Sequence, residues 1–572
     1  MSRGFANTLK TGGLCAVAIA AMAIPAGAAA QSLPPILENP SEDGANWLPD
    51  FSYAGFGVGT GEIPQVAEEI LVSDFGAKPD DAIDDTKAIK AAIEAASQRS
   101  GPVRVQFDAG RYLVSEILWI SKSGIVLSGM GAGEKGTELY MPRPLNQVDD
   151  GGALDELRTY LVENDKRERQ KDANLDVLFS PWSWSGGFIW VRYPEGRHAT
   201  YLESHDRPIR KVVDITSGLR GERQLRVANA SALSVGDVFQ IHWHNRAGPQ
   251  GPLIKELYGD TDEKIGSRHW ELPDRPLVRQ ATRIERIEGN LVTIADPLLH
   301  PIRQDVPAYF AQWDHLTNVG IQDLALTFPE NPFFGHHNEA GYNGVYFTGV
   351  YDGWIRNVTI TNSDSGILTD DLGNVTIANV FTKGDHMAHY SVHIGNVHNV
   401  LVEDLHVYNP TIHALSVNTM ATKSVYKDAV VWSRPSLDQH AGANHQNLYD
   451  NVTVHLTPDQ VASDGTPQFD LYKAGGAGYW VPGHARYNTT WNLNVLVDGG
   501  VAPGRPVTIL AASEGPDARI IGMHGNRPLR LEHKPKPLVE WLNKPVEGAP
   551  SLYAYQLQQR KDAQGRDADR DE

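Results

Sequence analysis

Histidine is concentrated in one stretch of this chain, and its side chain can do proton chemistry. The sequence holds 21 histidines. Eight of them lie within the sixty residues 386–445, and six of these eight are expected near one strip of the fold, namely His386, His389, His393, His413, His440 and His445. An imidazole changes its charge near neutral pH, so it can take up or release a proton without a large shift of its pKa. The stretch therefore contains candidates for a general acid or base.

Carboxylate and cationic side chains occur in the same region, and together with the histidines they are consistent with two reactions on a polysaccharide. Asp364 precedes the pair Asp370 and Asp371, and Lys423 and Arg434 follow. Hydrolysis of a glycosidic bond uses two carboxyl groups that flank the bond. β-Elimination from a uronic-acid polymer instead needs a base, an acid and a cation that neutralises the sugar carboxylate, and His, Lys and Arg can fill these roles.

A repeat in the sequence indicates which elements must position these residues. Short β-branched runs recur around Asp323, Asn357, Asn379, Asp404, Asp428 and Asn451, and after the first interval the spacings are 22, 25, 24 and 23 residues. The longer first interval holds the insertion "PENPFFGHHNEAGYN". Repeats of this length are typical of a solenoid, and units without room for a helix favour a parallel β-helix over leucine-rich repeats. The Asn and Asp residues are expected at turns in the left-handed conformation.

Alternation along four predicted strands divides the side chains between the core and an outer strip. The predicted inward residues are Val345, Phe347, Ile367, Thr369, Val392, Ile394, Leu415 and Val417. The predicted outward residues are Tyr346, Thr348, Leu368, Asp370, His393, Ser416 and Asn418, with Asp364, His386, His389 and His413 just before the strands and Asp371 and Lys423 just after. We expect this outer strip to be accessible and to face the substrate.

A metal site is not predicted from the local histidine spacing. His386, His389 and His393 are spaced by three and four residues, which on a helix would suggest metal ligands. A β-coil does not bring this spacing to one point. No metal or cofactor is therefore predicted, with calcium left open.

The N-terminal part of the chain resembles a known superfamily. "VSDFGAKPDDAIDDTKAIKAAIEAA", from Val72 to Ala96, and the following "VRVQFDAGRYLVSEILWISKSGIVLSGMG" closely resemble the entry segment of the pectate-lyase superfamily of right-handed single-stranded β-helices. The resemblance implies an all-β, right-handed parallel β-helix whose first coil is capped by a helix. Asp85 is the expected N-cap of that helix, and Ile89, Ala92 and Ile93 form its apolar face. The superfamily includes lyases, hydrolases, epimerases and phage tailspikes, so the resemblance specifies the reaction poorly.

Composition and the N-terminus predict an exported protein. Residues 1–30 have the basic start, apolar run and small residues of a cleavable signal peptide, which predicts a secreted or periplasmic location. Cys15, the only cysteine, lies in this segment. The formal net charge of −19 and the lack of a basic patch disfavour nucleic acid as a partner, and no later segment is apolar enough for membrane insertion.

Changes in composition along the remaining sequence predict its division into regions. We predict an extended lead-in over residues 31–70, the β-helix over 71–460, a β-rich closing region over 461–550 and a charged, disordered tail over 551–572. Two insertions are expected in the β-helix. One, at about 141–200, should contain an exposed helix and an aromatic loop, and the other, at about 210–310, should contain antiparallel hairpins.

These features lead to a main functional hypothesis and two alternatives. The main hypothesis is a polysaccharide lyase in which His393 is the general base or acid, flanked by His389 and His413. Lys423 or Arg434 would balance the sugar carboxylate, Asp370 and Asn418 would orient the ring, and the other predicted substrate-binding residues are Asp364, Tyr346, His386, His440 and Trp480. The first alternative is a glycoside hydrolase that uses Asp370 and Asp371, and the second is a β-helix that binds carbohydrate without catalysis.

Overall fold

Most of the chain winds into a parallel β-helix. The structure is a computed structural model that describes residues 32–41, 44–148, 180, 182–194, 209–511 and 514–571. The predicted signal peptide and the predicted helix near residues 155–174 lie outside this part. None of the helices in the described ranges is long and apolar enough to cross a membrane.

Within the described residues, the sheet of the β-helix contains 29 hydrogen-bonded strands, of which Gln460–Val461 pairs antiparallel. In chain order they are Glu69–Leu71, Val103–Gln106, Gly110–Leu113, Leu118–Ile120, Ile125–Ser128, Thr137–Tyr140, Ile189–Val191, Leu316–Thr317, Gly320–Thr327, Asn343–Thr361, Ser365–Lys383, Ala388–Gly395, Val397–His398, Leu401–Val407, Thr411–Asn418, Val425–Lys427, Val430–Val431, Leu437–His440, Leu448–Asp450, Thr453–Leu456, Gln460–Val461, Pro467–Gly475, Thr489–Trp491, Asn494–Val497, Val507–Ala511, Arg519–Ile521, His524–Gly525, Leu529–His533 and Leu538–Glu540. Parallel pairing therefore continues past residue 460, as far as the strand Leu538–Glu540.

The predicted register of the central coils is confirmed. Val345 pairs with Ile367, Ile367 with Val392, and Val392 with Leu415. All four side chains are fully buried. Stacking of β-branched and aliphatic side chains in such columns removes their apolar surface from water, which is the main source of stability in a solenoid.

The predicted turn residues adopt the left-handed conformation. Asn357, Asn379 and Asn451 have φ values of 53°, 52° and 54°. Their side-chain amides also bond from coil to coil, because Asn379 donates to Asn357 at 2.8 Å and Asn451 donates to Asp428 at 2.6 Å. Each residue thus turns the chain and satisfies the polar group of its neighbour.

The segment around residues 210–310 forms a closed barrel of six antiparallel strands. These are Lys211–Gly218, Gln224–Val227, Val238–Trp243, Val278–Glu288, Leu291–Ile294 and Ala308–Gln312. Two short helices, Pro252–Tyr258 and Arg268–Glu271, belong to the same insertion. The barrel has its own apolar core, which includes Ile241, Trp243 and Phe310.

The entry helix spans Thr86–Ser97 and buries Ile89, Ala92 and Ile93, as predicted. Asp85 occupies the predicted N-cap position, but its carboxylate makes no capping bond and instead accepts the backbone N–H groups of Lys78 and Leu113. Asp84 instead accepts the Thr86 N–H at 2.9 Å.

The prediction that the C-terminal tail is disordered is wrong, because this segment forms the helix Leu552–Asp571. The carboxylate of Asp450 accepts the backbone N–H groups of Leu552 at 2.8 Å and Tyr553 at 3.1 Å. Leu552 and Tyr553 are buried in an apolar cluster with Phe51 and Ala54 of the lead-in, which also contains the short helix Pro35–Glu38. Composition alone missed these long-range contacts.

We expect Asp450→Ala to release the C-terminal helix and lower the free energy of unfolding by about 2–4 kcal/mol, because it removes a helix cap and leaves buried donors without an acceptor. Urea unfolding and proteolysis of the C-terminal segment measure this effect. Asp562→Ala, on the exposed surface of the same helix, is the matched control and should leave both measurements unchanged.

Candidate active site

One outer column of side chains runs along the β-helix. It is formed in register by Trp119, Trp190, Tyr346, Leu368, His393, Ser416, Asp438 and Lys473. The predicted outward residues Tyr346, Leu368, His393 and Ser416 are all part of it. The column continues two coils beyond the predicted strip, adding first Asp438 and then Lys473.

The expectation that this strip is accessible is wrong at its centre. His393, Asp370 and Asn418 are fully buried, and Tyr346 is 1% exposed. The ring of His393 packs against Tyr390 at 4.8 Å between centroids. Burial lowers the pKa of His393 to about 3, with a further contribution from His440. His393→Ala is therefore expected to destabilise the fold.

Elements distant in sequence cover the strip. The loop 329–342 contributes His336 and His337, and both rings pack near His389, at 4.7 Å and 5.5 Å between centroids. The barrel covers the other side, where Gln240 and Trp313 donate to Asp371. Alternation along a strand fixes the direction of a side chain but carries no information on what packs over it.

The loop 329–342 and three neighbouring strands bring five imidazoles together. They are His336, His337, His389, His413 and His440. The centroids of His336 and His337 are 3.7 Å apart, those of His389 and His413 are 5.2 Å apart, and those of His413 and His440 are 5.0 Å apart. Of the run His386, His389 and His393, His389 is the member of this cluster, and its Nε2 atom contacts Nε2 of His336 in the loop.

Two buried carboxylates face the histidine cluster. Glu339 lies 2.9 Å from Nδ1 of His389. One oxygen of Asp438 lies 3.2 Å from Nδ1 of both His413 and His440, and its other oxygen accepts the Ser416 hydroxyl at 2.6 Å. The hydrogen bond between Asp438 and Nδ1 of His440 favours the His440 tautomer that carries its proton on Nδ1 and leaves Nε2 free to accept.

Burial and mutual repulsion keep part of the cluster neutral. Burial, with the neighbouring imidazoles, lowers the pKa of His336 and of His337 to about 3 and holds that of His389 well below its usual value. The pKa of Asp438 is also lowered, but by its neighbours and not by burial. Although burial raises it, the charges and hydrogen bonds of His413 and His440 outweigh burial and hold the Asp438 carboxyl well below its usual range.

His386 and Asp364 hold the loop in place. Asp364 accepts the backbone N–H groups of Gly341 and Tyr342, both at 2.8 Å, and its second oxygen lies 2.8 Å from Nε2 of His386. Burial lowers the pKa of His386, but the hydrogen bond and charge of Asp364 outweigh it and raise the pKa overall. These contacts assign the pair a role in positioning the loop.

Other predicted site residues lie apart from the histidine cluster. Lys423 donates to the Asp50 carbonyl at 3.1 Å beside the lead-in, and burial lowers its pKa to about 8. Trp480 packs into the barrel core, and Arg434 is exposed at a turn. Asp370 accepts the Asn396 amide at 2.6 Å.

The solvent-accessible edge of the histidine cluster lies beside the last two described residues of the outer column, Asp438 and Lys473. His440 is partly exposed, and the Lys473 side chain, one coil beyond Asp438, is 42% exposed and lies 2.7 Å from Asp470. His440 was predicted as a substrate-binding residue, whereas His336, His337, Glu339, Asp438 and Lys473 were missed. Asp438 could have been predicted by extending the strand register by one coil. The adjacent histidines His336 and His337 in the insertion were the sequence feature that could have indicated a functional role for the loop.

The segment that carries the family resemblance matches a known family. Residues 70–141 match the family described as rhamnogalacturonase A/epimerase, pectate lyase-like. This match confirms the resemblance that the sequence predicted for this segment. No curated protein sequence matches the chain.

Several solved structures align with most of this chain. The tailspike gp61 of Pseudomonas phage phi297 is 12% identical, with 83% of this chain and 80% of that chain covered and a TM-score of 0.36. The A-module of the mannuronan C-5 epimerase AlgE4 of Azotobacter vinelandii is 13% identical, with 84% of this chain and 97% of that chain covered and a TM-score of 0.34. Values of this size carry no inference about activity.

Proposed function

We propose that this protein cleaves a uronic-acid-containing polysaccharide by β-elimination, with His440 as the proton-transfer group. The observation that carries the proposal is the pairing of His440 with the buried Asp438, 3.2 Å away, beside the partly exposed Lys473. The pair lies at the accessible end of the outer column, on a solenoid whose length suits a polymer.

Each group has a distinct part in the proposed reaction. Asp438 holds the His440 proton on Nδ1, so that Nε2 can take the proton from C5 of the sugar. The electrons of the C5–H bond form the C4–C5 double bond, and the bond from C4 to the glycosidic oxygen breaks. His440 then returns the proton to the leaving oxygen. Lys473 neutralises the sugar carboxylate, which lowers the cost of the negative charge that develops at C5.

Two further observations bear on the choice of reaction. The family matched by residues 70–141 is described as a rhamnogalacturonase and epimerase family, which supports a glycan as the substrate class. Hydrolysis by Asp370 and Asp371 is less well supported, because the first is fully buried and the second accepts hydrogen bonds from the barrel. Export through the N-terminal segment remains part of the proposal.

A panel of uronic-acid and neutral polysaccharides tests the proposed reaction. We expect at least one uronic-acid polymer to yield new reducing ends together with ultraviolet absorbance from the unsaturated product. Reducing ends without this absorbance would identify a hydrolase and overturn the elimination mechanism. Binding without any cleavage would support the non-catalytic alternative.

A further inference from the structure

Two imidazoles of the histidine cluster direct their Nε2 atoms at the Nε2 atom of a third, His336. The Nε2 atom of His336 lies 3.2 Å from Nε2 of His389 and 3.4 Å from Nε2 of His413. One ring nitrogen from each residue falls within 4.8 Å of the other two. His389 and His413 are buried, whereas His336 is partly exposed.

We propose that His336, His389 and His413 bind a divalent first-row transition ion of the zinc type. Zinc binds imidazole nitrogen at about 2.0–2.1 Å with tetrahedral geometry, which places two ligand atoms about 3.3–3.4 Å apart. The two measured Nε2 separations match this value. Three protein ligands leave one position of a tetrahedral ion open for water or a substrate oxygen.

Two carboxylates lie behind the trio. Glu339 lies 2.9 Å from Nδ1 of His389, and Asp438 lies 3.2 Å from Nδ1 of His413, so each carboxylate is at the ring nitrogen that does not face His336. Carboxylates behind ligand histidines are the usual means of orienting them, and a metal ion would accept a lone pair from each of the three Nε2 atoms.

The chemistry of the donors selects the type of ion. Imidazole nitrogen suits zinc, copper, nickel and iron, whereas calcium and magnesium prefer oxygen ligands. A second group, His413, Asp438 and His440, also has its possible ligand atoms within 4.8 Å of one another. Its carboxylate is already shared by two imidazoles and the Ser416 hydroxyl, so the trio is the better ligand set.

The proposed ion would lie near the proposed reaction centre, because the rings of His413 and His440 are 5.0 Å apart. It could therefore hold a substrate carboxylate, a role that rests on the proposed function. Ion binding itself does not depend on that function, and it is tested without any glycan.

Metal titration of the purified protein, prepared without a histidine tag and stripped with a chelator, tests the site. We expect one Zn²⁺ or Co²⁺ ion per chain, with the Co²⁺ form showing the visible absorption of a tetrahedral site, and a higher midpoint of thermal unfolding with metal bound. His336→Ala should abolish stoichiometric binding, and it changes a partly exposed loop residue so that folding is preserved. Glu339→Gln, which alters a positioning residue, should weaken binding about 10–100-fold.

His455→Ala is the matched control, because His455 faces Asp498 on another part of the surface, and it should bind like the unaltered protein. Failure of the unaltered protein to take up either ion would overturn the proposal. Unchanged binding in His336→Ala would also overturn it. Loss of binding in His440→Ala with full binding in His336→Ala would assign the ion to the second group instead.

Discussion

Ile367→Asp is expected to unfold the β-helix. Ile367 is fully buried between Val345 and Val392 in an inward column, where an aspartate would have no water and no cation. An unpaired buried charge costs about 5 kcal/mol or more, which is comparable with the whole stability of many domains. Circular dichroism and urea unfolding should show loss of the cooperative transition or failure to produce soluble protein.

Lys383→Asp is the control for this substitution, because Lys383 ends the same strand and is exposed. It should change the free energy of unfolding by no more than about 0.5 kcal/mol. A cooperative transition of normal midpoint in Ile367→Asp would contradict the inward placement of this column.

His440→Ala is expected to lower the rate of glycan cleavage by about 10²–10⁴-fold, the usual contribution of one proton-transfer group. The midpoint of thermal unfolding should change little, because His440 lies at the partly exposed edge of the cluster. The measurement is the initial rate on the polymer that the panel identifies, read from ultraviolet absorbance.

Two variants make this result specific. Asp438→Asn keeps the shape of the side chain but removes its charge, so the imidazole loses its orientation and the rate should also fall. His455→Ala should keep the full rate. Full activity in His440→Ala would refute the role assigned to this residue, even if the reaction proves to be an elimination.

The sequence alone determined the coils and their register. The inward position of Val345, Ile367 and Val392 follows from alternation with the neighbouring residues of each one's own strand, and it appears directly in the side-chain pattern. The same holds for the turns, because Asn357 and Asn379 tolerate positive φ more readily than most residues. The apolar face of the entry helix, with Ile89 and Ile93, was likewise predicted from the helical spacing of its apolar residues.

Only the tertiary structure decided what covers the outer strip and which imidazoles meet. His336 is 53 residues from His389 and 77 from His413, so no local spacing relates the three. The barrel covers Asp371, and the C-terminal helix docks on Asp450 through contacts across 102 residues. Such contacts depend on how inserted segments pack over the solenoid, because burial and the convergence of polar atoms arise from distant parts of the chain.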